Sequence, residues 1–159
     1  MAVIHPGRFT AKIEGSFVVF LIGMRINHLL RVNKWLPVVK AMPGMIEELS
    51  QDKDSGFLGA QQFLYWRGVA LAQYWRSFDQ LHAYAHAREA KHLPAWAAFN
   101  RAVGGDGSVG IWHETYEIQA GGYEGIYVNM PRFGLGQATE HVPVTGRSNT
   151  AKARMQKEE

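Results

Sequence analysis

The apolar stretch FVVFLIGM, residues 17–24, constrains the fold most. It is rich in β-branched and aromatic residues and lies between Gly15-Ser16 and a polar stretch, which predicts a buried strand over residues 17–27. Successive residues of a strand point to opposite faces of a sheet, and here both sets are apolar. Both faces of the sheet therefore need cover, and packed helices cover only one of them.

Capping and helix-breaking residues predict the helices. Asn33 as an N-cap and Pro43 as a break predict two helical pieces over residues 33–51. Ser77 and Gln80 have the spacing of a capping box, which predicts a second helical region that ends at a Gly-Gly pair.

The remaining apolar runs predict four more strands. Residues 56–66 and 69–75 flank a turn at Arg67, and the later strands are expected over residues 109–118 and 123–130. The order βαββαβ with an extra hairpin strand predicts an α+β fold, a ferredoxin-like sandwich with helices on one face of an antiparallel sheet. A second subunit is expected to cover the other face and so form a dimeric α/β barrel, and the alternative is a lone sandwich covered by its own C-terminal segment.

Composition excludes several classes of protein. The absence of cysteine excludes disulfides, thiolate metal sites and a cysteine nucleophile, and it suits the cytoplasm. The longest apolar run is far below the ~20 residues of a membrane-spanning helix, so no membrane partner is expected. The charge of +3 is held largely by the last fifteen residues, and no basic surface for nucleic acid is evident. We expect one domain over residues 1–147 and a flexible basic tail over residues 148–159.

The strand VGIWHETYEI, residues 109–118, holds a histidine beside a glutamate. The period of two places His113 on one face and Glu114 on the other, together with Trp112 and Tyr116. The two residues therefore cannot share a site directly. An alternative role for Glu114 is a salt bridge to an arginine on a neighbouring strand.

Three histidines lie in the second helical region. His92 falls within the apolar arc of the helix and is expected to face the sheet, as either a core residue or a ligand. His82 and His86 have the i, i+4 spacing of zinc ligands, but no HExxH motif accompanies them, so no metal site is expected.

Several motifs occur in one order over about residues 17–137. They are KWLPVVKAMPGMIEEL, GFLG, YWRS, HLPAW, GIWHETY and YVNMPRFGLG. In this order they resemble a monooxygenase-like family of fumagillin-pathway relatives within the antibiotic-biosynthesis monooxygenase superfamily of dimeric α/β barrels.

The resemblance implies a homodimer with a pocket between helices and sheet, in which a hydrophobic or aromatic small molecule reacts with dioxygen. Some such enzymes need no cofactor, and others degrade haem held by a histidine near the place of His92. The cofactor is thus expected to be none or haem, with His92, or less favourably His113, as axial ligand. A non-catalytic ligand-binding module is the third alternative. The candidate catalytic residues are His92, His113 and Glu114, and the candidate substrate-binding residues are Arg67, Trp75, Trp96, Trp112 and Tyr116.

Overall fold

A computed structural model describes residues 2–86 and 105–155. His92 and Trp96 lie outside these residues. The strands are β1 (His5–Lys12), β2 (Phe17–Ile26), β3 (Phe57–Tyr65), β4 (Gly68–Trp75), β5 (Val109–Ile118), β6 (Tyr127–Met130) and β7 (Glu140–Pro143). The helices are α1 (Val32–Gln51), α2 (Phe78–His86), α3 (Leu135–Ala138) and α4 (Ala151–Arg154), with a 3-10 turn at Gly146–Ser148.

The main sheet is antiparallel and has four strands in the order β3-β4-β2-β5. β2 lies at its centre, with Leu21 paired to Ala72 of β4 and to Glu114 of β5. A two-residue turn joins β3 to β4, and Arg67 in that turn has a φ of 65°. The order β2-α1-β3-β4-α2-β5 confirms the predicted α+β, ferredoxin-like arrangement.

The two long helices pack on one face of this sheet, which we call the helix face. One core cluster joins Met24, Ile26 and Val109 to Trp35 and neighbouring residues of α1. A second cluster lies towards the other end of the strands and contains Val18, Leu49, Trp75 and Leu81. Burial of these side chains on one face explains why β2 has a fixed register with both of its neighbours.

The predicted break of the first helix at Pro43 is wrong, because α1 continues from Val32 to Gln51. Proline removes one backbone donor from a helix, and the packing of Ile46 and Leu49 on the sheet holds the second half in place. The helix begins after Arg31 with no side-chain cap, so Asn33 is not the N-cap.

Ser77 does cap α2, since its hydroxyl accepts a hydrogen bond from the backbone N–H of Gln80 at 3.2 Å. The buried side of α2 differs from the predicted apolar arc. Leu81 and Tyr84 pack on the sheet, whereas Phe78 is 44% exposed.

A second, three-stranded sheet has the order β6-β1-β7 and was not predicted. The strand expected over residues 123–130 is shorter, and as β6 it pairs with β1 instead of the main sheet. β1 contains Pro6 and Gly7, and β7 has four residues, so neither has an alternating apolar pattern. Their pairing comes from tertiary contacts.

The C-terminal part of the chain folds back on its own main sheet. Phe133 packs edge-on against Phe63 of β3 at 5.7 Å, and Ala138 lies over Gly59. Part of the segment predicted as a flexible tail forms α4, and Arg154 there bonds Glu124. The face opposite the helices, which we call the open face, is thus covered over β3 and β4 by the same chain.

Candidate functional site

On the helix face, one row of residues lies between the two core clusters. In the described residues, the row Leu71–Ile22–His113 crosses β4, β2 and β5 and belongs to neither cluster. Leu71 is buried, Ile22 is half-buried and His113 is exposed. The row therefore begins with two apolar side chains on the inner strands and ends with one titratable side chain on the edge strand β5.

His113 points to the helix face and Glu114 to the other, which confirms the predicted separation of the two residues and shows which of them faces the helices. Its ring lies 5.7 Å from the ring of Phe20, which belongs to the partly buried surround of the second cluster. An imidazole held beside an apolar row can exchange a proton with a bound molecule at one nitrogen.

Trp75 lies four residues beyond Leu71 on the same face of β4 and belongs to the second core cluster. It is fully buried, and its indole N–H donates to Oε1 of Gln73 at 2.9 Å. Phe57 packs edge-on against it at 5.3 Å. Gln73 lies two residues from Leu71 on the same face. Its side-chain amide, which bonds Trp75, is therefore a fixed polar group beside the apolar row. Sequence reasoning missed Gln73, although its parity with Trp75 along β4 was a usable signal.

Trp112, Glu114 and Tyr116 lie on the open face, separate from Trp75 and His113. The hydroxyl of Tyr116 donates to Oε2 of Glu114 at 2.6 Å. That hydrogen bond and the carboxylate charge raise the pKa of Tyr116. The predicted candidates therefore divide between the two faces, and in the described residues Glu114 makes this contact, whereas a salt bridge to an arginine was its alternative role.

The indole of Trp112 is held flat against β2. A Cβ at Gly23 would lie 2.6 Å from the ring, so the indole occupies the space that any larger residue would fill. Its N–H donates to the hydroxyl of Tyr65 at 3.0 Å, and this hydroxyl donates to the carbonyl of Met24 at 2.8 Å. Trp112 thus has a fixed orientation with one edge exposed.

Arg67 lies at the β3–β4 turn, at the end of the main sheet and away from the row that holds His113. Its guanidinium donates to the backbone carbonyl of Ile26 at 3.0 Å and to that of Asn27. These contacts fasten the turn to the end of β2.

The rings of His82 and His86 lie side by side on α2, with centroids 4.1 Å apart and planes tilted by 31°. The Nδ1 atom of His86 lies 2.8 Å from the carbonyl oxygen of His82. In residues 2–86 and 105–155, no three metal-ligating side chains come together.

Comparison with known sequences identifies a family. The family described as monooxygenase af470-like matches residues 17–135. The protein named monooxygenase af470 of Aspergillus fumigatus is 32% identical over 162 residues, which cover 86% of this chain and 56% of that protein. The chain therefore spans about half the length of this relative.

Solved structures confirm the fold. An aldoxime dehydratase crystallised with butyraldoxime has a TM-score of 0.66 at 16% identity, over 84% of this chain and 40% of the other. A second aldoxime dehydratase structure has a TM-score of 0.61 at 16% identity, over 89% of this chain and 42% of the other. At such identity the likeness concerns the fold alone.

Across the described helices, none has both the length and the apolar character needed to cross a membrane. The matched residues 17–135 cover most of the chain and contain β2 to β5 with both core clusters and the row that holds His113. The chain belongs to the monooxygenase af470-like family.

Proposed function

We propose that this monooxygenase-like protein oxidises a hydrophobic or aromatic small molecule with dioxygen on the helix face of its main sheet, in the cytoplasm. The observation that carries the proposal is the row of Leu71, Ile22 and His113, which in the described residues lies between the two core clusters. Apolar side chains in that row suit an apolar ligand, and a single imidazole supplies proton transfer.

His113 acts in this proposal as the general base. An imidazole is the side chain that most often acts as a general base, so His113 can accept a proton from an acidic C–H group of the substrate. The resulting carbanion is the electron donor to dioxygen, and no separate reductant is required. When the substrate carries an activated methylene group, one oxygen atom becomes the carbonyl oxygen of a ketone. The other oxygen atom leaves as water with both methylene hydrogens, so that the carbon loses the four electrons that dioxygen gains.

Oxygen uptake tests the reaction directly. Purified metal-free protein is mixed with a panel of aromatic methylene compounds and oxygen consumption is followed. We expect consumption by the wild type and a loss of ~100-fold or more in His113→Ala. Thr115→Ala, a change two residues along the same face, is the matched control. Oxygen uptake at the wild-type rate in both His113→Ala and His92→Ala would rule out a histidine base. Tight binding of a compound without oxygen uptake would indicate a ligand-binding module.

Haem is the second candidate and would replace the cofactor-independent reaction. The described residues supply an apolar row next to one imidazole, which is the type of donor that holds haem iron. His113 would hold the iron in the described part of the chain, and the resemblance assigns this role to His92. Haem would supply a redox-active iron for dioxygen chemistry.

Hemin titration separates the two candidates. A shifted Soret band that reaches saturation at one hemin per chain, and that is lost in His92→Ala or His113→Ala, would support haem. An unchanged spectrum would remove haem from consideration and leave the cofactor-independent reaction.

We also propose that the chain forms a homodimer through the part of the open face that β2 and β5 present. Trp112 and Tyr116 are substantially exposed there, and the described contacts of the segment after β5 with the open face are to β3, β4 and the first residue of β2. A second copy would enclose both aromatic side chains together with Glu114, and this assigns the three residues to a surface shared between subunits.

A further inference from the structure

Three large apolar side chains lie open at the end of the main sheet where β3 turns into β4. Trp66 in the turn is 82% exposed, Leu64 before it is 80% exposed, and Leu30 in the loop after β2 is 97% exposed. The loop and the turn are fastened together, because the N–H of Ile26 donates to the carbonyl of Arg67 at 2.6 Å. The exposed side chains therefore belong to one surface, made of residues 25–34, 64–68 and 105–108, which we call the hairpin end.

The hairpin end is also basic. It contains four cationic residues and one acidic residue. The acidic residue is Asp106, which forms a salt bridge with Arg31 at 2.8 Å. The opposite end of the same sheet, made of residues 13–17, 51–57, 75–79 and 117–118, has five acidic and two basic residues. The charge of the main sheet is thus polarised along its strands. The cations of the hairpin end are Arg25, Arg31, Lys34 and Arg67.

From this arrangement we infer that the hairpin end docks on the surface of a membrane that contains anionic lipids. An indole prefers the boundary between headgroups and acyl chains, and leucine side chains enter the apolar layer below it. Arginine and lysine beside them bind anionic headgroups, while the acidic end of the molecule turns away from the surface. Trp66, Leu64 and Leu30 supply the first contribution, and the four cations supply the second.

A second copy of this chain suits the hairpin end less well. In an isologous contact the same surface meets itself, so the four cations of one copy would face those of the other. The surface proposed for the homodimer lies on the open face at β2 and β5, where Trp112 and Tyr116 are exposed.

This inference replaces the sequence-based expectation that the chain has no membrane partner. The sequence excluded a spanning helix, whereas docking needs only a few apolar side chains and cations on one surface. The inference does not depend on the proposed reaction, although a hydrophobic substrate would be concentrated in the same membrane.

Vesicle co-sedimentation tests the inference. Full-length protein is mixed with vesicles of phosphatidylcholine alone and with vesicles of phosphatidylcholine and phosphatidylserine. We expect binding to the second kind at low salt, weakened at ~0.5 M NaCl because the lipid charges are screened. Trp66→Ser with Leu30→Ser is expected to weaken binding about tenfold or more, and Arg25→Glu with Lys34→Glu to remove the preference for anionic vesicles.

Val3→Ser is the matched control, since Val3 is 72% exposed but lies in the N-terminal segment outside the hairpin end. It should bind as the wild type does, and urea unfolding of every variant checks that the fold is retained. Absence of wild-type binding to either vesicle overturns the inference, as does unchanged binding by the Trp66 and Leu30 double variant. A drop in the solution mass of that double variant without vesicles would assign the surface to self-association and also overturn it.

Discussion

Gly23 and Trp112 show how one small residue fixes the orientation of an aromatic side chain. A methyl group at Gly23 would lie 2.6 Å from the indole, so Gly23→Ala must displace the ring and break its bond to Tyr65. Overpacking of this kind typically costs ~1–3 kcal/mol, and urea unfolding followed by fluorescence measures it. Gly110→Ala is the control, because its nearest atom, on Asn27, is 3.8 Å away. Equal stability of the two variants would show that the indole is not confined.

His141 on β7 makes the free energy of unfolding depend on pH. Its ring stacks on Phe9 at 4.5 Å, and its Nε2 atom is buried with no hydrogen-bond partner among the described residues. Burial, and then the charges of His5 and Arg132, lower the pKa of His141. The unfolded chain therefore binds the proton more readily, and stability should fall as the pH decreases from about 6.5 towards the lower pKa of the folded state.

His141→Phe keeps the aromatic stack and removes the titration. We expect a flatter dependence of the urea midpoint on pH in this variant below about pH 6.5, with the wild type measured at about pH 8 as the baseline for packing. The same slope in both proteins would assign the pH dependence to other groups.

At the scale of elements, the β3–β4 turn carries both a strained residue and the bonds that hold it. Arg67 has a φ of 65°, which favours glycine, and its guanidinium bonds the end of β2. Arg67→Ala loses the bonds and keeps the strain, whereas Arg67→Gly loses the bonds and relieves it. Arg67→Gly should therefore be about 1 kcal/mol more stable than Arg67→Ala in urea unfolding. The reverse order would show that the backbone at residue 67 is not strained.

The elements that the sequence predicts are those whose burial repeats along the chain. β5 spans residues 109–118 as predicted because both ends carry turn signals. The strand period also places His113 and Glu114 on different faces. The sequence did not predict β1 and β7, because their pairing depends on contacts between residues more than a hundred positions apart, such as Phe9 with Pro143.

The sequence predicted the candidate site only where local strand patterns determine it. The sequence placed His113 and Glu114 on opposite faces, but it did not show which of them faces the helices, nor that Trp75 is fully buried and bonded to Gln73. It also grouped Trp75 with Trp112 and Tyr116, which lie on the opposite face. Side-chain parity within one strand is local information, whereas the relation between β4 and β5 depends on β2 lying between them.

At the scale of the whole molecule, β5 is the element most important for dimer formation, because it is an edge strand of the main sheet and is mostly exposed. Exposed edge strands and open sheet faces favour association. We expect sedimentation equilibrium at micromolar protein to give a mass near twice 17.9 kDa. Tyr116→Arg places a charge on the open face and should give the monomer mass, whereas Thr115→Arg, its neighbour on the helix face, should leave the dimer intact. A wild-type mass of 17.9 kDa would exclude the dimer and remove the partner as the cover for Trp112.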